Sequence, residues 1–255
     1  MIARSLTLTA LAGLPLVKPG DDLGGLLITA LRRMHILPQN KDILVIAQKV
    51  VSKAEGRFVD LKTVSPSARA IALGKEVNKD ARLVEVILSE SDEVIRQQRD
   101  VLIVAHRLGF IMANAGVDQS NVAGEDSDQV LLLPRDPDAS AAALKTRLDR
   151  EFGANLGIVI NDSFGRPWRF GVVGVALGAA GLSVLRNMID TPDLFGRKMR
   201  VTEIAVADEI AAAGSLLMGQ GAEGQPAVLL RGLDWDASAA PASVLLRPKE
   251  TDLFR

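Results

Sequence analysis

The chain has 255 residues, of which 48% are hydrophobic, with 30 basic against 31 acidic side chains and no cysteine or tyrosine. That length allows one large domain or two small ones with an ample core. The near-zero net charge argues against a nucleic-acid partner, the 4% aromatic content argues against a stacking platform for single strands, and the missing cysteine excludes disulfides, thiolate nucleophiles and zinc–thiolate sites.

In chain order, residues 3–10 alternate apolar and polar side chains and predict an edge or half-buried strand. Arg4 before SLTLTALA resembles a signal peptide only faintly, because Ser5, Thr7 and Thr9 break the apolar stretch. No run of about 18 apolar residues occurs, so no membrane span is expected and the default location is the cytoplasm. GLPLVKPGDD predicts a loop, with Asp21 or Asp22 capping a helix from Leu23 to Met34. Ile43 to Ala47 predicts a buried strand. Gln48, Lys49, Ser52, Lys53 and Arg57 follow it, and this cluster reads equally as an anion site or a solvated strand end.

Helices are expected from Ser67 to Gly74 and from Arg82 to Glu90, with a further helical turn over Ser91 to Gln98. Val101–Ala105 and Phe110–Met112 read as paired strands around Gly109. The segment Asn114 to Asn121 is rich in turn formers; Asp118 and Asn121 fit either an ordinary turn or oxygen ligands. Gly124 to Gln129 reads as a solvated acidic loop without EF-hand spacing, and Val130 to Leu133 as a short strand. A helix over Ala141 to Phe152 is capped by Asp138 or Ser140.

The chain is organised around GIVINDSFGRPWRFGVVGVALGAAGL, residues 157–182. A β-branched strand is expected to end at Asn161-Asp162-Ser163, with Arg166 and Arg169 in a short loop beyond it. Carboxylate and hydroxyl oxygens suit a hard cation, and guanidinium groups suit phosphate or carboxylate. After this come a basic-ended loop, 190–198, a strand over Val201–Val206, and a helix over Asp208–Leu217. A second glycine-rich loop from Met218 to Gly224 then precedes a strand at Ala227, and the tail after Asp234 either wraps or frays. Neither glycine loop has the GxxxxGK[ST] or GxGxxG spacing, so any nucleotide is held by another architecture. His106 is a candidate base, but a lone histidine is more often structural.

Taken together, GLPLVKPGDDL, DILVIAQKVVSKAEGR, NAGVDQSNV, LLLPRDPDASA, the 157–182 stretch without its first three residues, and the run from DLFGRKMR through MGQGAEGQPAVLLRGL resemble the coenzyme F420-0:L-glutamate (gamma-glutamyl) ligase family over residues 13–233. The resemblance implies an α+β fold of mixed sheets, neither P-loop nor Rossmann, in an intertwined homodimer. It implies one ligase region across the chain, divisible into two subdomains, without the nitroreductase-like C-terminal domain of some relatives.

The implied reaction is GTP-dependent addition of L-glutamate to the terminal carboxylate of coenzyme F420-0, a deazaflavin, followed by further γ-linked glutamates. It requires Mg²⁺ or Mn²⁺, two per site, with K⁺ as a further ion, and no nucleic-acid or membrane partner. By the same resemblance the metal ligands fall on Asp118, Asp162, Ser163 and Gln220. The nucleotide contacts fall on Leu14, Pro15, Leu16, Val17, Gln48, Lys49, Lys53, Asn121, Met218, Gly219, Gln220, Gly221, Ala222, Glu223, Gly224 and Gln225.

Ser163 stands where relatives often have threonine, which keeps the hydroxyl. Gln220 stands where some have glutamate, and a neutral amide is a weaker Mg²⁺ ligand. Asp118, Asp162 and Lys53 are the expected catalytic groups, with Arg166 and Arg169 as further candidates for binding a substrate carboxylate or phosphate. A carboxylate must be activated before an amine attacks it, and γ-phosphoryl transfer to an acyl phosphate needs positioning and charge neutralisation rather than a covalent nucleophile. A related carboxylate–amine ligase with another acceptor, a non-catalytic GTP- and metal-binding module, and a metal-dependent phosphohydrolase are the competing readings.

Overall fold

The two continuous apolar runs, Ile43–Ala47 and the start of Gly157–Arg166, become parallel neighbours at the centre of a sheet. The computed structural model describes residues 5–122 and 128–253. Its elements are β1 (Thr7–Ala10), α1 (Leu23–Arg33), β2 (Ile43–Ala47), α2 (Gln48–Ala54), β3 (Phe58–Asp60), α3 (Ala68–Glu76), α4 (Ala81–Ser89), β4 (Ser91–Gln98), β5 (Val101–His106), β6 (Ile111–Ala113), β7 (Gln129–Leu131), α5 (Pro137–Phe152), β8 (Gly157–Arg166), β9 (Arg169–Leu182), β10 (Arg186–Asn187), β11 (Glu203–Ile204), α6 (Val206–Met218), β12 (Ala227–Arg231) and β13 (Ala237–Ser238). Arg4 and most of the acidic loop, 124–127, lie outside the described residues.

Among the described residues the central sheet runs β1-β12-β2-β8-β9-β13, antiparallel except for the β2–β8 pair. The side-chain period of two builds a core on each face. Leu44, Ile46, Ile158 and Ile160 pack against α1 and α5, whereas Ile43, Val45 and Val159 pack against α6 and the C-terminal tail. A separate apolar cluster joins α3 and α4 to β5 and β7. The remaining sheets are β4-β5-β6, β3-β7 and β10-β11, so the fold mixes α and β as expected and holds no P-loop. No described helix is long and apolar enough to cross a membrane.

Several elements depart from the sequence reading. Ser91–Gln98 is strand β4 rather than a helical turn: Arg99-Asp100, with Asp100 at φ 66°, closes a two-residue hairpin onto β5, and that pairing overrides the helix preference of Glu93, Arg96 and Gln97. Helix α5 starts four residues early, capped by Asp136, whose Oδ1 accepts from the Ala139 N–H at 2.9 Å. Asp138 is used elsewhere, accepting from the N–H groups of Ala179 and Ala242 and so tying α5 to β9 and the tail. Strand 201–206 shrinks to β11 because Val206 already belongs to α6. The tail wraps: β13 pairs with β9, and Trp235 is buried with its Nε1–H donating to the Lys41 carbonyl at 2.7 Å.

The expected strand end at Asn161 is the middle of β8, which continues to Arg166 and returns through Pro167-Trp168 as β9. Helices α5 and α6 approach β9 closely enough that a Cβ on Gly178 would strike the Pro137 carbonyl and one on Gly174 would strike Ser215 and the Ala211 carbonyl. Gly178→Ala is expected to cost about 1–3 kcal/mol in urea unfolding, because the obstructing atoms are backbone and cannot step aside. Gly165→Ala, facing open space on the same hairpin, is expected to stay within about 0.5 kcal/mol of wild type.

A buried ionic cluster ties the end of α4 to the chain beyond α2. Arg57 Nη2 and Arg107 Nε donate to Glu90 Oε2 at 2.8 and 3.2 Å, Arg57 Nε donates to the Leu133 carbonyl at 2.9 Å, and His106 Nε2 lies 3.6 Å from the same carboxylate. Burial opposes ionisation of Glu90, but His106 and the two guanidinium groups outweigh it and hold the carboxyl at about 2. A depressed acid contributes stability above its unfolded value, lost as pH falls towards the folded one. Wild type is therefore expected to lose urea stability between about pH 4.5 and 2 more steeply than Glu90→Gln.

Candidate functional site

Strand β2 ends at Ala47, opposite Asn161, and the chain turns directly into α2 while β8 runs on. Ligand crevices in such sheets lie beyond the carboxyl ends of parallel strands. The four-residue spacing within α2 stacks Gln48 over Ser52 and Lys49 over Lys53. Gln48 and Ser52 are buried, with the Ser52 hydroxyl donating to Gln48 Oε1 at 2.9 Å. The two lysines face the 118–121 loop. Lys49 Nζ lies 2.8 Å from Asp118 Oδ2 and donates to the Ser120 hydroxyl and carbonyl at 2.9 and 3.2 Å; Lys53 Nζ donates to the Asn121 carbonyl at 2.6 Å. Removal from water and the neighbouring Lys49 both lower the Lys53 pKa, with Asp118 acting against them.

Alternation along β8 sends successive polar residues to opposite faces. Asn161 Nδ2 donates to the Ser215 hydroxyl on α6 at 3.1 Å. Asp162 faces α2, with Gln48, Lys49 and Asp118 as its polar and charged neighbours. Ser163 turns back to the α6 side, its hydroxyl donating to Gln220 Oε1 at 2.7 Å. Burial raises the Asp162 carboxyl to about 7, and the Asp118 charge adds to the shift; the backbone N–H of Ser163, Lys49 and Gln48 oppose it.

Past α6, Gly219 adopts φ 70°, and a Cβ there would collide with the Glu223 carboxylate. That carboxylate accepts from the Gly221 N–H at 2.8 Å, and backbone donors from residues 220, 221 and 223 hold its pKa down. Asn121 Nδ2 donates to the Gly221 carbonyl at 3.0 Å, which ties this loop to the 118–121 loop.

The fold thus gathers Gln48, Lys49, Lys53, Asp118, Asn121, Asp162, Ser163, Gln220 and Gly221. Others of the expected residues lie apart. Arg57 turns to Glu90, and His106 sits in that buried cluster, its Nδ1 accepting from the Leu108 N–H at 2.9 Å. Arg166 and Arg169 pair across the hairpin tip, with Arg166 three residues past Ser163, or about 10 Å along extended chain. Leu14 and Val17 pack on the α1-side core while Pro15 and Leu16 are exposed; the Gly20 N–H bonds to the Ala54 carbonyl, so this loop ends beside the C-terminus of α2. Met218 is buried at the end of α6, Ala222 and Gly224 are exposed, and Gln225 is half-buried before β12. Ser120, which bridges Lys49 and Asp118, was missed. The signal for it was Asp118-Gln-Ser120, an Asx turn in which the Ser120 N–H donates to Asp118 Oδ1 at 3.0 Å.

Among the described residues there is no group of three or more acidic, histidine or cysteine side chains that could hold a metal ion. The donor set nevertheless fits a hard cation that keeps water or phosphate ligands. Asp118 and Asp162 are near enough for one charge to raise the pKa of the other, and on the opposite face of β8 the Ser163 hydroxyl meets the Gln220 amide oxygen.

A family model described as F420-0:gamma-glutamyl ligase matches residues 13–232. The chain belongs to that family. The coenzyme F420:L-glutamate ligase of Methanothermobacter thermautotrophicus is 45% identical over 252 residues, covering 98% of this chain and 99% of the relative. Those of Methanopyrus kandleri and Archaeoglobus fulgidus are 42% and 41% identical over 243 residues each, covering 94% and 95% of this chain.

An acid whose pKa rises on folding binds more protons in the native state, so stability falls as pH rises between the unfolded and folded values. For Asp162 that window runs from about 3.8 to about 7. Asp162→Asn is therefore expected to gain urea stability relative to wild type progressively across this window, with the gain levelling off above it. An unchanged difference from pH 4 to 8 would contradict the placement of this carboxyl.

Proposed function

We propose that this protein joins the amine of L-glutamate to the terminal carboxylate of coenzyme F420-0 and then extends the product through γ-linked glutamates, with GTP cleaved to GDP and phosphate. The observation that carries this reading is the convergence, in a member of this ligase family, of two lysines and two aspartates where β2 ends and β8 runs on alone beside it.

Carboxylate and amine do not condense at neutral pH without activation, so the γ-phosphoryl group is first transferred to the acceptor carboxylate. The bond between that phosphorus and the β,γ-bridging oxygen breaks, and a bond to a carboxylate oxygen forms. The glutamate amine then attacks the acyl carbon and phosphate leaves with the carboxylate oxygen. Such transfers depend on positioning and on charge neutralisation. Lys53 and Lys49 supply the positive charge on the α2 side. The loop from Gly219 to Gly224 lines the other side through backbone groups, anchored to Asn121. Asp118 and Asp162 would hold one divalent cation, and Ser163 with Gln220 a second. Mg²⁺ or Mn²⁺ there supplies charge neutralisation at the phosphate oxygens and the acceptor carboxylate. The half-buried Asp162, whose carboxyl is raised towards neutrality, suits this role, because a carboxylate short of positive charge gains most from a cation. Arg166 and Arg169, on the projecting hairpin, are candidates for a substrate carboxylate or phosphate.

The apolar side chains left exposed on this hairpin and on the loop before β11, among them Trp168, Phe170, Leu194 and Phe195, support association as a homodimer.

The test is a mass-spectrometric assay with coenzyme F420-0, L-glutamate, GTP and Mn²⁺ or Mg²⁺, each omitted in turn. Growth of the deazaflavin by glutamyl units that depends on every component is expected. Asp162→Asn should reduce turnover by about 10²–10³-fold, as loss of several kcal/mol of transition-state stabilisation implies. Tight GTP binding by folded protein with no product would point to another acceptor or to a non-catalytic module, and phosphate release without glutamate to a phosphohydrolase.

A further inference from the structure

We infer that Lys49 is an internal cation at Asp118, which a divalent cation must displace, and that the released ammonium then becomes a ligand of the triphosphate. This rests on the metal–phosphate reading of the site given above. The ammonium of Lys49 is fully committed as it stands. It lies 2.8 Å from Asp118 Oδ2 and donates to the Ser120 hydroxyl at 2.9 Å and the Ser120 carbonyl at 3.2 Å. The other oxygen of the carboxylate, Oδ1, accepts from the Ser120 N–H and hydroxyl at 3.0 and 2.8 Å.

Both oxygens of Asp118 are thus engaged, and the pair is shielded, with the two side chains 27% and 25% exposed. A cation arriving at Asp118 meets a carboxylate already neutralised by a positive charge at contact distance, and the two cannot share Oδ2 without strong repulsion. Lys53 makes a different commitment one helical turn away, since its ammonium donates to the Asn121 carbonyl and forms no ion pair with Asp118 at contact distance. The two lysines together hold the 118–121 loop against α2.

Exchange at Asp118 follows from this arrangement. Lys49 and Asp118 offset one another at contact distance. Once a divalent cation takes Asp118, the Lys49 ammonium loses its carboxylate and lies beside a newly added positive charge. A triphosphate is the group that satisfies both. Cation and triphosphate binding should therefore be positively coupled, with Lys49 as the moving part. The long, flexible lysine stem permits this, whereas a planar guanidinium would hold its carboxylate in a fixed bidentate fork.

The substitution Lys49→Met removes the competitor and the phosphate ligand together, so its two effects have opposite signs. The experiment titrates purified wild type, Lys49→Met and Lys53→Met with Mn²⁺ alone, reading free Mn²⁺ by electron paramagnetic resonance. GTP affinity is then measured by calorimetry at saturating Mn²⁺, with unfolding curves confirming that each variant is folded. Lys49→Met is expected to bind Mn²⁺ roughly three- to tenfold more tightly than wild type, since it lacks the contact charge. It should also bind GTP at least about tenfold more weakly. Lys53→Met should weaken GTP binding while changing Mn²⁺ affinity by less than Lys49→Met does. If wild type binds Mn²⁺ and Lys49→Met binds it equally or less tightly, the exchange is overturned while the cation site stands. If wild type binds no Mn²⁺, with or without GTP, the metal reading itself fails and the exchange fails with it.

Discussion

The site depends on the parallel register of β2 against β8. Ala47 stands opposite Asn161, and there the two strands part, one turning at once into α2 and the other continuing for five more residues. The start of α2, the 118–121 loop and the loop after α6 come together around the gap through side-chain contacts. The polar residues of β8 therefore lie at the end of a rigid apolar core and not on a mobile loop. Ile158, Val159 and Ile160, all fully buried, fix the strand that carries Asp162 and Ser163.

Two constraints act on β9, the other partner of β8. A register shift between Ile160 and Asn161 marks a bulge, and the backbone N–H groups around it find carboxylates instead of strand partners: Ala176 donates to Asp208 and Ala179 to Asp138, each at 2.9 Å. Bulges of this kind redirect side chains beside functional sites. The small residues of β9 let α5 and α6 approach the sheet, which places the end of α6, and with it Gln220, within reach of Ser163. The glycine-rich composition of residues 171–181 thus serves helix packing, and the loop expected to cradle phosphate is the later one, after Met218.

The electrostatics of the crevice work against its own stability. Asp162 is half-buried near a second carboxylate, and desolvation and that charge raise its pKa to about 7. Lys49 offsets Asp118 at contact distance, and Lys53 is drawn below its ordinary pKa by burial. Groups costly to bury and only partly paired are expected where ligand charge completes the arrangement. The Glu90 cluster shows the contrasting case: its carboxylate is matched by Arg57 and Arg107 from within the chain, and its pKa falls. His106 lies in that cluster, apart from the crevice.

Much of this was legible in the residues. Continuous apolar runs identified β2 and the start of β8, capping residues located α1 and α3, and the motifs of residues 13–233 pointed to the ligase family that the whole-chain similarity bears out. Propensity failed where pairing outweighed it. Ser91–Gln98 is locally as good a helix as a strand, and only β5, across a two-residue turn, decides. Likewise residue chemistry alone did not separate Lys49 and Lys53 from Arg57, all within one charged stretch; only the family resemblance did. The helical spacing of α2 sends the lysines to Asp118 and Asn121, while the turn after Gly56 sends the arginine to Glu90. Sequence alone determined which chemical groups the chain owns and the local periods that shape its elements, because those follow from side-chain type and nearest neighbours. The tertiary structure decided which groups meet, because the contacts of Lys49 with Asp118 and of Ser163 with Gln220 depend on sheet order and register, which no local pattern encodes.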